Sequence, residues 1–236
     1  MIEVKSKNSE ALSKITKDRS RTNILRNSEQ KTLAFLVQHI PSWITSDMLT
    51  AIGFFGSILT CASFILAAYV HHYCLLLGIL GFAINWFGDS LDGRIAYYRN
   101  TPRKWYGFSL DITVDWLTDI LIGLGFLLYA KGHWQLVGFG FVTLYGWAMI
   151  MALLRYKITN KYTIDSNLLG PTEVRILLSL LLVIEVIFKG SLMYFGLAAC
   201  VILLIINIID FKKLLKMADL RDKEEKKEKD NQNTIS

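Results

Sequence analysis

The sequence predicts an all-α integral membrane protein, with six transmembrane helices preceded by an amphipathic helix lying in the membrane interface. Three observations lead there. The chain of 236 residues is 53% hydrophobic with 3 prolines, and its apolar residues come in long blocks. Six of those blocks each approach the ~20 residues needed to cross a bilayer. The Lys and Arg residues behind the net charge of +6 gather before residue 32, after residue 210 and in two of the loops between blocks.

Residues 1–27 are mixed in charge and rich in Ser and Asn, which predicts a flexible cytoplasmic arm. No cleavable signal peptide is visible there, so the first span is expected to act as the insertion signal. Next comes "SEQKTLAFLVQHIPSWITSDMLT", where Leu33, Leu36, Val37 and Ile40 fall on one helical stripe. With Lys31 behind the stripe and Trp43 ahead, a helix in the interface is expected, ended by Pro41. Ser46 or Asp47 is expected to cap the helix that follows.

The six spans are expected at about 49–70, 73–97, 107–130, 134–155, 172–189 and 191–211. The loops around His71, Lys131 and Lys189 hold almost no Lys or Arg. The alternate loops hold Arg99, Arg103 and Lys104, then Lys157 and Lys161. That asymmetry places both termini and the two longer loops in the cytoplasm. Residues 28–211 then form the membrane domain, and 212–236 form a charged cytoplasmic tail, helical or disordered, that can touch anionic lipid. Cys61, Cys74 and Cys200 lie scattered in apolar stretches and read as small buried hydrophobes, not as disulfides or zinc ligands.

Against this background the acids of "GDSLDGRIAYYRNTPRKWYGFSLDITVDW" stand out, because a carboxylate inside a span is costly and usually marks a site. At ~1.5 Å per residue, Asp92 and Asp89 lie roughly 10 and 15 Å above the cytoplasmic end of the second span. Asp111 and Asp115 lie about 6 and 12 Å into the third. Two antiparallel helices therefore carry four carboxylates to similar depth. Small Gly93, Ala96 and Gly107 flank them and allow a close approach by backbone or ligand. Four such acids need a counter-charge, and oxygen-only ligands suit Mg²⁺, Mn²⁺ or Ca²⁺. A carboxylate–metal site at the cytoplasmic interface points to phosphate chemistry, where a spare carboxylate can take a hydroxyl proton.

These residues resemble the class I CDP-alcohol phosphatidyltransferase family, the CDP-alcohol phosphotransferases. Its pattern D-x2-D-G-x2-A-R, then eight or nine residues, then G-x3-D-x3-D, is met by Asp89, Asp92, Gly93, Ala96, Gly107, Asp111 and Asp115. Tyr97 stands where the pattern has Arg. The resemblance covers about residues 30–210, including a family-like start to span 1 at Thr45–Thr50, with Asp47 where many relatives have Asn. It implies two metal ions, Mg²⁺ or Mn²⁺, held by Asp89, Asp92, Asp111 and Asp115, with Asp115 also acting as catalytic base. It implies that Asp92, Gly93, Ala96 and Gly107 line the CDP moiety. The reaction implied is displacement of CMP from a CDP-linked donor by an alcohol, in phospholipid synthesis.

CDP-diacylglycerol is the expected donor, with a CDP-polar alcohol donating to diacylglycerol as the alternative. A cation transporter or channel is the rival from another class, though it would place acids nearer the midplane on broken helices. Arg94 and Arg99 are candidates to replace the missing Arg, the alternative being that both are interfacial anchors, and Arg155, Lys157 and Arg175 are candidates to read a phosphate or the acceptor. "GPTEVR" opens the fifth span with Pro171 at its start. Asp119 is expected to support the site or the packing, and Asn85 to hydrogen-bond between helices. A homodimer in a bacterial inner membrane, with no nucleic-acid partner, is expected.

Overall fold

The computed structural model describes residues 25–159 and 170–235. The arm expected at 1–27 therefore lies almost wholly outside the described residues, as does Lys161. Seven α-helices and no strand occur among the described residues. They are α1 (Arg26–His39), α2 (Ser46–Tyr69), α3 (Leu76–Tyr98), α4 (Lys104–Tyr129), α5 (Gln135–Thr159), α6 (Pro171–Ile187) and α7 (Ser191–Ile235). Short 3₁₀ turns at His72–Leu75 and Gly132–Trp134 lead into α3 and α5.

Five helices, α2, α3, α4, α5 and α7, are long and apolar enough to cross a membrane. Large side chains such as Phe55, Leu80, Ile150 and Ile202 point outward from them and are half-exposed or more. A soluble protein does not leave that much apolar surface in water. The chain is thus an all-α, multi-pass membrane protein. The expected count of six is not reached on length and composition, because α6 has 17 residues. At ~1.5 Å per residue that is about 26 Å, against a hydrocarbon core of about 30 Å. Glu185 explains the early stop. Its carboxylate accepts from the backbone N–H groups of Gly190 (2.8 Å) and Leu192 (2.7 Å), so the chain turns there and α7 begins. Gly190 has φ +95°, a left-handed conformation that a residue without Cβ tolerates.

α2 and α3 form the closest-packed pair. Hydrocarbon offers no hydrophobic drive between helices, so contact rests on small residues that let backbones meet. A Cβ at Gly56 would lie 2.5 Å from both the Asn85 backbone nitrogen and the Gly81 carbonyl oxygen. A Cβ at Gly88 would meet the Gly53 and Leu49 backbones as closely. α4 packs on α2, α5 on α4 and α7, and α6 on α3.

α1 lies across the end of the bundle where the aspartates are. Leu33, Ala34 and Val37 are buried against Leu49, Leu91 and Ile95, with Leu36 and Ile40 at the margin. Leu33 and Val37 are worth roughly 1.5–3 kcal/mol each by burial. The stripe read from the sequence is thus the face that packs, and Phe35 points away. A buried ion pair, Arg94 to Glu29 at 3.5 Å, adds a polar tie between α3 and α1.

The cap of α2 differs from the sequence reading. Thr45, extended at φ −89° and ψ 166°, accepts from the Met48 backbone N–H at 3.2 Å. Ser46 is the first helical residue and donates to the Asp92 carbonyl instead, at 2.8 Å. Ser46 and Asp47 lose the cap because the extended residue sits one position earlier.

α3 ends in a Schellman turn: Thr101 N–H reaches the Ala96 carbonyl and Asn100 N–H reaches that of Tyr97. Asn100 takes the left-handed position with φ +56°. Asn accepts that conformation at low cost, and Pro102 stops the helix continuing. This turn reverses the chain between α3 and α4, and both helices pack on α2. α7 runs unbroken for 45 residues, about 67 Å, so the charged tail continues the last spanning helix.

Candidate active site

α3 and α4, both packed on α2, bring Asp89, Asp111 and Asp115 together. One carboxylate oxygen from each lies within 4.8 Å of the others. Asp111 and Asp115 are one turn apart on α4, and Asp89 faces them from α3. They line one small cavity with Thr50, Gly53, Phe54, Asn85, Asp92 and Val114. The polar layer lies between two apolar clusters. One gathers around Leu49, Leu91 and Ile95, the other around Phe64, Phe82 and Phe126.

Asp92 lines the same cavity but stands apart from the other three acids. Its Oδ2 accepts from the Thr50 hydroxyl at 2.7 Å, and its Oδ1 from the Gly93 N–H at 2.5 Å. The i, i+3 spacing puts Asp89 and Asp92 on one face, yet Thr50 draws Asp92 toward α2. Thr50 is a cavity residue the sequence reading missed. The signal was there: Thr50, Gly53 and Ser57 recur at helical spacing on the face of α2 that meets α3.

The donor set fits a hard divalent cation. Such an ion takes oxygen ligands at about 2.0–2.6 Å, so two oxygens on one ion stand at most roughly 4–5 Å apart. The observed spread lies inside that limit.

Arg175 is the one basic candidate that reaches the cluster. It comes from α6, with Nη2 on Asp89 Oδ2 at 2.6 Å and Nε on Asn85 Oδ1 at 2.7 Å. Asn85 is itself fixed by donating to the Gly53 carbonyl (3.1 Å) and to Ser57 (3.0 Å). So Asn85 does join helices, as expected, and also orients the arginine. The "GPTEVR" segment explains how α6 is held. Thr172 accepts from the Trp86 indole, and Glu173 accepts from the backbone N–H groups of Gly170 and Leu25. Pro171 opens the helix as predicted.

The other basic candidates are engaged elsewhere. Arg94 is buried, donating to the Ser90 carbonyl and facing Glu29. Arg99 donates to the carbonyls of Ile40, Pro41, Ser42 and Ile44, and so holds the α1–α2 connection. Arg155 pairs with Asp210 of α7 at 3.2 Å. Lys157 is exposed at the end of α5, whose last carbonyls accept from Arg221. Asp47, exposed, pairs with Arg103, which also lies over the Tyr106 ring. Gly107 is exposed, and a Cβ there would meet nothing within 4 Å. Ala96 and Tyr97 are half-buried near the end of α3. Asp119 lies one turn beyond Asp115, buried, and its Oδ2 has no hydrogen-bond partner among the described residues.

At the opposite end, Glu185 is fully buried and also accepts from the Tyr129 hydroxyl at 2.6 Å. The sequence reading passed over it. His72, on that side, meets the Glu185 carbonyl at 3.0 Å. The three cysteines are free, with Cys61 and Cys200 buried and Cys74 half-buried.

No curated protein matches the chain. A family model described as CDP-alcohol phosphatidyltransferase matches residues 39–206, which take in all four aspartates, the whole of α2 to α6, and the first part of α7.

Proposed function

The chain belongs to the CDP-alcohol phosphatidyltransferase family, and from that premise we propose that it makes phospholipid by transferring a phosphatidyl group from CDP-diacylglycerol to an alcohol. The family's reaction is transfer of a substituted phosphate from a CDP-alcohol to an acceptor. The observation that carries the reading is the meeting of Asp89, Asp111 and Asp115 on two antiparallel helices.

In this reading those three acids and Asp92 would hold two Mg²⁺ or Mn²⁺ ions. Bound there, the ions would neutralise the donor diphosphate and the charge on departing CMP. The chain's own groups do the rest. Asp115 accepts the proton of the acceptor hydroxyl, whose oxygen forms a bond to the donor's β-phosphorus. The bond from that phosphorus to the bridging oxygen breaks, and CMP leaves with the electron pair. Gly93, Ala96 and open-faced Gly107 leave room for CDP beside Asp92. Arg175 is the basic residue best placed to meet an anionic group, and Asp119 supports Asp115 from one turn deeper.

The site faces the cytoplasm with both termini on that side, by the Lys and Arg asymmetry. α1 lies in the interface on its exposed Phe35, with exposed Trp43 in the connection that follows, and α6 completes a sixth crossing inside a membrane domain of residues 28–211. The active form is a homodimer. The test is a panel of CDP-diacylglycerol and CDP-polar alcohols, each with polar alcohols or diacylglycerol, read by CMP release from purified protein. Release with CDP-diacylglycerol and a polar alcohol supports the proposal. Release only with a CDP-polar alcohol and diacylglycerol reverses the donor. No release with any pair overturns both.

A further inference from the structure

Three carboxylates within 4.8 Å of one another repel strongly in a low-dielectric layer. Something must offset them when no metal is bound. The residue that does so is visible. Arg175 donates to Asp89 Oδ2 at 2.6 Å, and Asn85 fixes its Nε at 2.7 Å. Its Nη1 is buried and has no hydrogen-bond partner among the described residues. A guanidinium with one arm on a cluster carboxylate and another arm unspent is poised to change partners, because leaving a buried donor unmade is costly.

We propose that Arg175 is the resident counter-ion of the aspartate cluster. It holds Asp89 in the metal-free protein, competes with a divalent cation for that carboxylate, and is released when the cation binds. The inference rests on the metal reading given above. It assigns Arg175 a role that a permanent tie between α6 and α3 does not have. A tie would help keep Asp89 in place, so removing it would weaken metal binding or leave it unchanged. A competitor, when removed, makes metal binding tighter. A unit positive charge about 4–5 Å from the incoming ion opposes it strongly even at an effective dielectric near 20. Its loss should therefore tighten binding at least about tenfold after allowance for screening.

The experiment is direct Mn²⁺ binding to the purified full chain, followed by the electron paramagnetic resonance signal of free Mn²⁺. Wild type, Arg175→Gln and Arg175→Lys are compared. Arg175→Gln should bind about tenfold or more tightly than wild type. Arg175→Lys, which keeps the charge, should stay near wild type. In chelator, Arg175→Gln should unfold at a lower temperature than wild type, and Mn²⁺ should raise its melting point by more. Unchanged or weaker Mn²⁺ binding by Arg175→Gln overturns the counter-ion role while leaving the metal site intact. If wild type itself binds no Mn²⁺, the metal reading fails and this inference fails with it. Should Arg175→Gln not fold, the wild-type chain decides. With ¹⁵N-arginine labelling, the Arg175 side-chain signal, assigned by its loss in Arg175→Lys, must move as Mg²⁺ saturates the site. A signal that stays put through saturation contradicts release.

Discussion

Gly56→Ala is the substitution that most directly probes how the site is positioned. The added methyl would lie 2.5 Å from the Asn85 backbone nitrogen and 2.5 Å from the Gly81 carbonyl oxygen. Both are backbone atoms of α3, so no side chain can swing aside. Comfortable contact needs about 3.5 Å or more, so α2 and α3 must part by roughly 1 Å. Overpacking of this kind costs about 1–3 kcal/mol. The cost is also functional. Asn85 donates across this crossing to Gly53 and Ser57, and Asn85 orients Arg175. Gly107→Ala is the control, since a Cβ there meets nothing within 4 Å. It should leave folding unharmed or slightly improved, by up to about 1 kcal/mol from helix propensity. Thermal unfolding in detergent, followed by tryptophan fluorescence, checks both. Gly56→Ala should melt several degrees below wild type and Gly107→Ala at or above it. Equal melting points for Gly56→Ala and wild type would refute the claim that backbone contact at this crossing sets the bundle.

Asp115→Asn should lower turnover by about 10²–10⁴-fold with little change in CDP affinity, because it removes the proposed base while keeping its shape. Asp119→Asn should do much less, and parallel turnover and nucleotide-binding measurements separate the two. Glu185→Gln should lower stability by about 1–3 kcal/mol, since it removes the charge from a group that accepts from Gly190, Leu192 and Tyr129. Thermal unfolding reads that loss, and metal affinity should be untouched at the far end of the bundle. For orientation, single cysteines at positions 100 and 132, in a chain without the native three, are treated with an impermeant thiol reagent in intact cells. Position 132 should react and position 100 should not. The reverse pattern would invert the topology.

The aspartates were readable because a carboxylate in an apolar span is an exception that composition exposes. Helix period and antiparallel order then put Asp89, Asp111 and Asp115 in the same half of the membrane without any knowledge of packing. What the sequence could not settle depends on partners distant in the chain. The tie from Arg175 to Asp89 and Asn85 spans some ninety positions, and nothing local announces it. Arg94 and Arg99 looked interchangeable as replacements for the missing motif arginine. Their fates differ because α1 folds back over the end of α3, offering Glu29 to one and the carbonyls of residues 40–44 to the other. Asp92 left the cluster because of Thr50, on a different helix. Glu185 was overlooked for a similar reason: its meaning lies in where α7 begins. The cap at Thr45 was off by one residue because Thr, Ser and Asp, in succession, all make good caps. The glycines at 53, 56, 81 and 88 were readable at helical spacing and went unread.

The central claim is that the aspartate cluster works by holding divalent cations. The most direct measurement is CMP release by purified protein stripped of metal, then assayed in chelator and again after Mg²⁺ or Mn²⁺ is restored. The account predicts no release above background in chelator, recovery on adding either ion, and no recovery in Asp89→Asn. Full turnover by the stripped protein in chelator would contradict it.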